Sequence, residues 1–125
     1  MEKLVIQEAL KNCPEIIYFI ANNTLNISGR SIPENPELIF RRLDEWITGH
    51  FEKNQSLTVN IQLEYINSGS SKYLYEILKK LTGYSKSAKD VVIKWLYEED
   101  DEAMLELGEH YRDTAGIPLV IEMIV

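Results

Sequence analysis

Two periods divide the chain: apolar and polar positions alternate in some stretches and recur every three to four residues in others. Leu4 and Ile6 mark a first short strand. Pro14 opens a second, EIIYFIAN, rich in β-branched and aromatic residues. Asn22-Asn23 is a turn pair, since Asn tolerates positive φ, and LNIS returns as a third strand in a predicted hairpin. Asn35-Pro36 then signals a helix start, with Asn35 as the cap and Pro36 at the first helical position. Ile39, Leu43, Trp46 and Ile47 carry its apolar stripe, and Gly49 with the polar run after Phe51 ends it.

The segment LTVNIQLEY is the longest alternating run. Leu57, Val59, Ile61, Leu63 and Tyr65 point one way; Thr58, Asn60, Gln62 and Glu64 point the other. After NSGSS, the positions Leu74, Ile77, Leu78 and Leu81 form a second helical stripe that ends near Gly83, with YSKSAKD as a loop. VVIKWLY reads as a strand. A third helix starts in the acidic run Glu98 to Glu102, where carboxylates suit the positive end of the helix dipole, and its apolar side is Met104, Leu107 and Tyr111. Gly116 and Pro118 break it, and LVIEMIV closes the chain as a strand. Strands separated by helices imply parallel neighbours joined by right-handed crossovers. The predicted fold is therefore α/β: a single domain over 1–125, its mixed sheet built from an N-terminal antiparallel hairpin followed by βαβαβ units. Asn60, Gln62, Glu64, Lys94 and Glu122 fall out of phase with the core. If they share one sheet face, that face is wet or meets a partner, which fits a monomer or a weak dimer equally well.

Charge and composition narrow the function classes. The 125 residues carry a formal net charge of −7, which disfavours a nucleic-acid partner because an acidic surface repels phosphate backbones. Arg41-Arg42 and Lys79-Lys80 are isolated basic pairs on helices and read as solvated faces. MEKLVIQEAL has no apolar run of signal-peptide length, and no stretch approaches the roughly 20 apolar residues of a membrane span. With one cysteine, Cys13, the chain suits a reducing cytoplasm and forms no internal disulfide. His50 and His110 are too few and too isolated for a metal site, and no nucleophile elbow, P-loop or dinucleotide fingerprint occurs. No cofactor, metal or catalytic residue is therefore expected.

The serines of NSGSS are the candidate chemistry, and they admit several readings. Where a parallel strand hands over to a helix, Ser68 or Ser70 can cap the free amides while Gly69 eases the turn. The same place suits a negative charge, because unpaired amides and the helix dipole converge there. A phosphoryl group on Ser68 would add about −1.5 to −2 charges within reach of those amides and of Lys72. A hydrolase using Ser68, Ser70 or Ser71 with His110 as base is a further alternative, as is a constitutive protein-binding module in which the serines only cap.

Four segments in order, GRSIPEN (Gly29 to Asn35), LEYINSGSSK (Leu63 to Lys72), KWLY (Lys94 to Tyr97) and LGEHY (Leu107 to Tyr111), resemble the SiaC family of bacterial regulatory phosphoproteins. The family pattern has a G-x-S-x-P-E-N segment before the first helix, a Tyr-hydrophobic-Asn-Thr-Ser-Ser strand end before the second, and a W-x-Y strand. The resemblance covers nearly the whole chain. It implies a design like that of STAS domains, the anti-sigma-factor antagonists, and a partner-switching role. A dedicated Ser/Thr kinase would phosphorylate, and a phosphatase would reset, a regulator whose unphosphorylated form activates a diguanylate cyclase, raising cyclic di-GMP and promoting biofilm. The family's acceptor Thr falls on Ser68, with Ser70 and Ser71 as fallbacks; Gly69 departs from the family's Ser. On this resemblance and the loop's place in the chain, Ser31, Pro33, Glu34, Asn35, Asn67, Gly69 and Lys72 are the candidate partner-binding residues.

Overall fold

Strand β1 (Lys3–Gln7), β2 (Glu15–Phe19) and β3 (Thr24–Ser31) come first, followed by α1 (Pro36–Lys53), β4 (Ser56–Ile66), α2 (Ser68–Lys86), β5 (Asp90–Glu98), α3 (Glu102–Asp113) and β6 (Leu119–Ile124). This computed structural model describes residues 2–124. Met1, in the N-terminal stretch, and Val125, the last residue of the expected final strand, lie outside the described residues. The six strands lie in chain order in one sheet; β1, β2 and β3 are antiparallel neighbours, and β3 through β6 are parallel. The predicted mixed sheet, its hairpin and its helical crossovers are all present. Asn23 takes φ +50 in the β2–β3 turn, the left-handed conformation that Asn tolerates.

Because each crossover steps to the next strand in the same direction and with the same hand, all three helices cover one sheet face. That face carries Leu25 and Ile27 from β3, Leu57, Val59, Ile61 and Leu63 from β4, Ile93 and Trp95 from β5 and Leu119 from β6, in one buried cluster with Leu43, Ile47, Leu74, Leu78, Leu81 and Tyr111 of the helices. Among the described residues no helix covers the opposite face. There Asn60 pairs with Lys94, Lys94 with Val120 and Leu96 with Glu122, while the Asn60 amide donates to Asn26 Oδ1 at 3.1 Å. The out-of-phase polar residues Asn60, Gln62, Lys94 and Glu122 thus share one uncovered face.

Several expected boundaries move, each for a packing reason. Helix α1 runs through Gly49 to Lys53, because His50 and Phe51 continue its buried side and Phe51 is only 4% exposed. That burial outweighs the cost of roughly 1 kcal/mol for a glycine inside a helix. Asn35 flanks this helix without a side-chain capping bond. Helix α2 passes Gly83 to Lys86, since Tyr84 stacks on Phe51 with ring centroids 4.3 Å apart. Glu98 belongs to β5, and the third helix begins only after Asp101, whose carboxylate accepts from the Met104 amide at 3.1 Å.

Tyr65 departs most from expectation. The register of β3 against β4 shifts after Gly29: Gly29 opposes Leu63, and Arg30 opposes Tyr65, leaving Glu64 as the extra residue. Gly29 sits within β3 at φ +98, which L side chains rarely adopt, and so serves this bulge rather than a turn ahead of α1. Past the bulge the alternation breaks, and Tyr65 is 53% exposed.

On the other side of β4, α3 approaches β5 through a glycine. A Cβ on Gly108 would lie 2.5 Å from Cδ1 of the Trp95 ring, closer than atoms pack. The indole Nε1 in turn donates to the Met104 carbonyl at 2.9 Å. Gly108→Ala is expected to destabilise by about 1–3 kcal/mol through overpacking. Gly49→Ala, at an exposed helical position with open space around the new methyl, should instead stabilise by up to about 1 kcal/mol. Urea midpoints of the two variants should therefore move in opposite directions from wild type.

Candidate functional site

Strand β4 delivers the serines to the sheet's carboxyl edge, and Asn67 turns the chain into α2. Its backbone amide donates to the Ser31 carbonyl at 3.0 Å, which ties the turn to the end of β3. Its side-chain Oδ1 accepts from the Ser70 amide at 2.8 Å, and its carbonyl accepts from the Ser71 amide at 2.9 Å. Asn67, not Ser68 or Ser70, is the cap. Gly69 lies in the first helical turn, where an added Cβ would meet Asn67 and Pro36 at an ordinary 3.8 Å. It neither makes the turn nor relieves a close contact.

The three serines, alike in sequence, occupy three different environments. Ser68 is exposed at the first helical position. Ser70 is 0% exposed, and its hydroxyl has no hydrogen-bond partner among the described residues. Ser71 is half-buried and engaged: Tyr111 of α3 donates its phenolic hydrogen to the Ser71 carbonyl at 3.0 Å, so the Ser71 hydroxyl donates to the phenol oxygen at 2.7 Å. Of the three hydroxyls, only that of Ser68 stands at an exposed residue; Ser70 is buried and the Ser71 hydroxyl is occupied.

The loop leading into α1 runs beside this turn. Its Ile32 amide donates to the Asn12 carbonyl at 2.9 Å, which fixes it to the β1–β2 connection. Ser31 and Pro33, expected to face a partner, are buried, and the Ser31 hydroxyl has no partner. The loop reaches solvent through Glu34 and Asn35. Lys72 is exposed one helical turn after Ser68. The structure therefore brings Asn35, Asn67, Ser68, Gly69 and Lys72 to one edge and places Ser31 and Pro33 beneath it.

Across from the serines stands the end of α3. Ser68, Ser71, Lys72, Tyr75, His110, Tyr111, Thr114 and Ala115 line a cleft of about 460 Å³ between α2 and α3. No hydrogen bond joins His110 to a serine among the described residues, so a Ser–His pair is not assembled. His50 lies elsewhere: its Nε2 donates to the Ser56 carbonyl at 2.8 Å, among the rings of Tyr18, Trp46 and Phe51. Among the described residues no three His, Cys, Asp or Glu side chains gather as metal ligands, and no helix is long and apolar enough to cross a membrane.

The α3 wall is what the sequence reading missed. Tyr111 was legible as an apolar stripe position, but a buried phenol needs a polar partner, and its partner lies 40 residues away. Its ring meets Trp95 edge-on, with centroids 5.6 Å apart. KWLY and LGEHY thus form one unit, in which Trp95 packs on Gly108 and Tyr111 reaches the serine turn.

Over residues 7–124 the sequence matches the SiaC family of regulatory phosphoproteins. The chain belongs to that family. An uncharacterized protein of Pseudomonas aeruginosa is 28% identical over 99 residues, 78% of this chain and 79% of the relative. The crystal structure of the diguanylate cyclase SiaD with its activator SiaC, from the same organism, contains a chain that superposes with TM-score 0.87 at 25% identity, covering 97% of this chain and 99% of that one. A further structure of Pseudomonas aeruginosa SiaC gives TM-score 0.85 at 26% identity, over 99% and 100% of the two chains. The four segments quoted above are, in this chain, the end of β3 with the loop into α1, the serine turn, and the parts of β5 and α3 that brace it.

Burial raises the Tyr111 pKa from its ordinary 10.0, against a smaller lowering by the Ser71 hydrogen bond. The protonated phenol thus belongs to the folded state, and its contribution is fully present below the unfolded value and lost as pH rises through the folded one. Tyr111→Phe should be less stable than wild type by about 1 kcal/mol at neutral pH. Urea titrations repeated at rising pH should show that gap narrowing in the alkaline range.

Proposed function

We propose that this chain is a non-enzymatic, phosphorylation-gated activator of the SiaC type, acting in the cytoplasm, with Ser68 as the acceptor. A partner Ser/Thr kinase adds the phosphate and a phosphatase removes it. The unphosphorylated form binds and activates a diguanylate cyclase; in support, the structural neighbour is described as the activator in complex with such a cyclase. The observation that carries this reading is the sorting of the serines: Ser68 alone is exposed, while Ser70 is sealed and Ser71 is bonded to Tyr111.

The gating is electrostatic. A phosphoryl group brings about −1.5 to −2 charges to the first turn of α2, on an edge that also presents Asn35, Gly69 and Lys72. Dianionic bulk there changes any partner contact that covers the turn. With a net charge of −7, the chain suits an effector surface carrying a basic patch.

Incubation with ATP and the cognate kinase, followed by intact-mass and site mapping, should add one phosphate at Ser68 and none to Ser68→Ala. The phosphorylated form should bind the cyclase at least roughly tenfold more weakly than wild type, a loss of about 1.4 kcal/mol. Ser68→Ala should bind like the unmodified chain and stay insensitive to the kinase. Equal cyclase affinity of all three forms would leave a constitutive binder as the better account.

A further inference from the structure

The α2–α3 cleft differs from the rest of the surface in its charge. The chain has 20 acidic and 13 basic residues, yet no carboxylate lines this cleft. Its lining holds Lys72 on the α2 wall and His110 on the α3 wall, with the hydroxyls of Ser68, Ser71, Tyr75, Tyr111 and Thr114. Neither Lys72 nor His110 is in an ion pair among the described residues, whereas Lys80 bonds Asp44 and Arg112 bonds Asp113. Ser68 stands one helical turn before Lys72, so both project on the same side of α2. The Tyr111 bonds to Ser71 hold the two walls together below them.

The Ser71 and Tyr111 hydroxyls are spent on each other, but an acid-free cleft with a cationic group on one wall, an imidazole on the other and the hydroxyls of Tyr75 and Thr114 between them is complementary to a phosphate. We propose that this cleft is an intramolecular receptor for the phosphoryl group of Ser68, which Lys72 and His110 hold from opposite walls. The inference rests on Ser68 as the acceptor. In the modifying step the kinase breaks the bond between the γ-phosphorus of ATP and its bridging oxygen, Ser68 Oγ forms the new bond to phosphorus, the hydroxyl proton passes to the kinase, and ADP leaves. The product then links the first turn of α2 to the last turn of α3. Phosphorylation on this account does more than add charge to a docking surface. It fills the cleft, pins α3 and withdraws Lys72 from any partner.

The test uses the 125-residue chain with phosphoserine installed at position 68 during translation, so that it does not depend on kinase recognition. Thermal unfolding is compared with and without the phosphate in wild type and in a Lys72→Ala, His110→Gln double variant. Phosphate should raise the wild-type Tm by roughly 3 °C and leave that of the double variant unchanged or lowered. Without phosphate the two chains should melt within about 1 °C of each other, since both side chains are outside the buried core. The phosphoserine 31P resonance should titrate at lower pH in wild type than in the double variant, because cationic neighbours favour the dianion. Equal Tm changes together with superimposable 31P titrations would overturn the receptor and leave Ser68 free to act as an exposed charge. Failure of the kinase to modify Ser68, by contrast, is read in the mass-mapping experiment and removes the acceptor itself.

Discussion

The rest of the serine edge depends on where one buried phenol finds its partners. Tyr111 is 3% exposed, and a hydroxyl so placed is costly unless it is bonded. It reaches across to α2 and bonds the hydroxyl and the carbonyl of Ser71. That fixes the rotation of α2 about its own axis at its first turn, and the rotation decides which serine faces in and which faces out. With Ser71 turned toward α3, Ser70 falls against the core and Ser68 is left at the rim. Trp95 sets the height of the arrangement, because its ring lies where a side chain on Gly108 would be and its indole N–H is spent on Met104. The site is thus held by a chain of contacts running from β5 through α3 to α2.

Much of this fold was legible because its cues are local. Alternation gave β4, the Asn22-Asn23 pair gave the hairpin turn, and strands interrupted by helical stripes gave the parallel half of the sheet. Misplaced boundaries had non-local causes. Gly49 and Gly83 carry the composition of helix ends, but Phe51 and Tyr84 lie beyond them and stack on each other, and that contact draws both helices past their glycines. Tyr65 keeps the alternation of its strand on paper. Only the register against β3 shows that a residue has been inserted before it.

The candidate site was legible to the level of the turn and not to the level of the side chain. Three serines within four positions offer the same chemistry to a reader of sequence, and helical geometry alone does not say which face is buried. Burial sets Ser70 apart from Ser68, and Ser71 is engaged by Tyr111 of α3, 40 residues downstream. The loop GRSIPEN shows the same limit. Its turn-forming residues mark it as a surface feature, yet Ser31 and Pro33 pack inward because the Asn67 amide and the Asn12 carbonyl hold the backbone at both sides.

On the proposed reading of Ser68 as a phosphate acceptor, Asn67 explains why such a residue can sit at a helix start without destabilising it. Had Ser68 been the cap, its hydroxyl would have been committed to a backbone amide, and modification would have removed that bond at a cost of about 1 kcal/mol. Asn67 takes the capping bond instead, through Oδ1 to the Ser70 amide. The amides of the first turn that remain free by helix geometry then favour an anion placed on Ser68. Division of labour between adjacent residues therefore separates the structural duty of the turn from its chemistry. Gly69, which departs from the Ser of the family pattern, leaves this division intact, since neither capping nor exposure of Ser68 runs through its side chain.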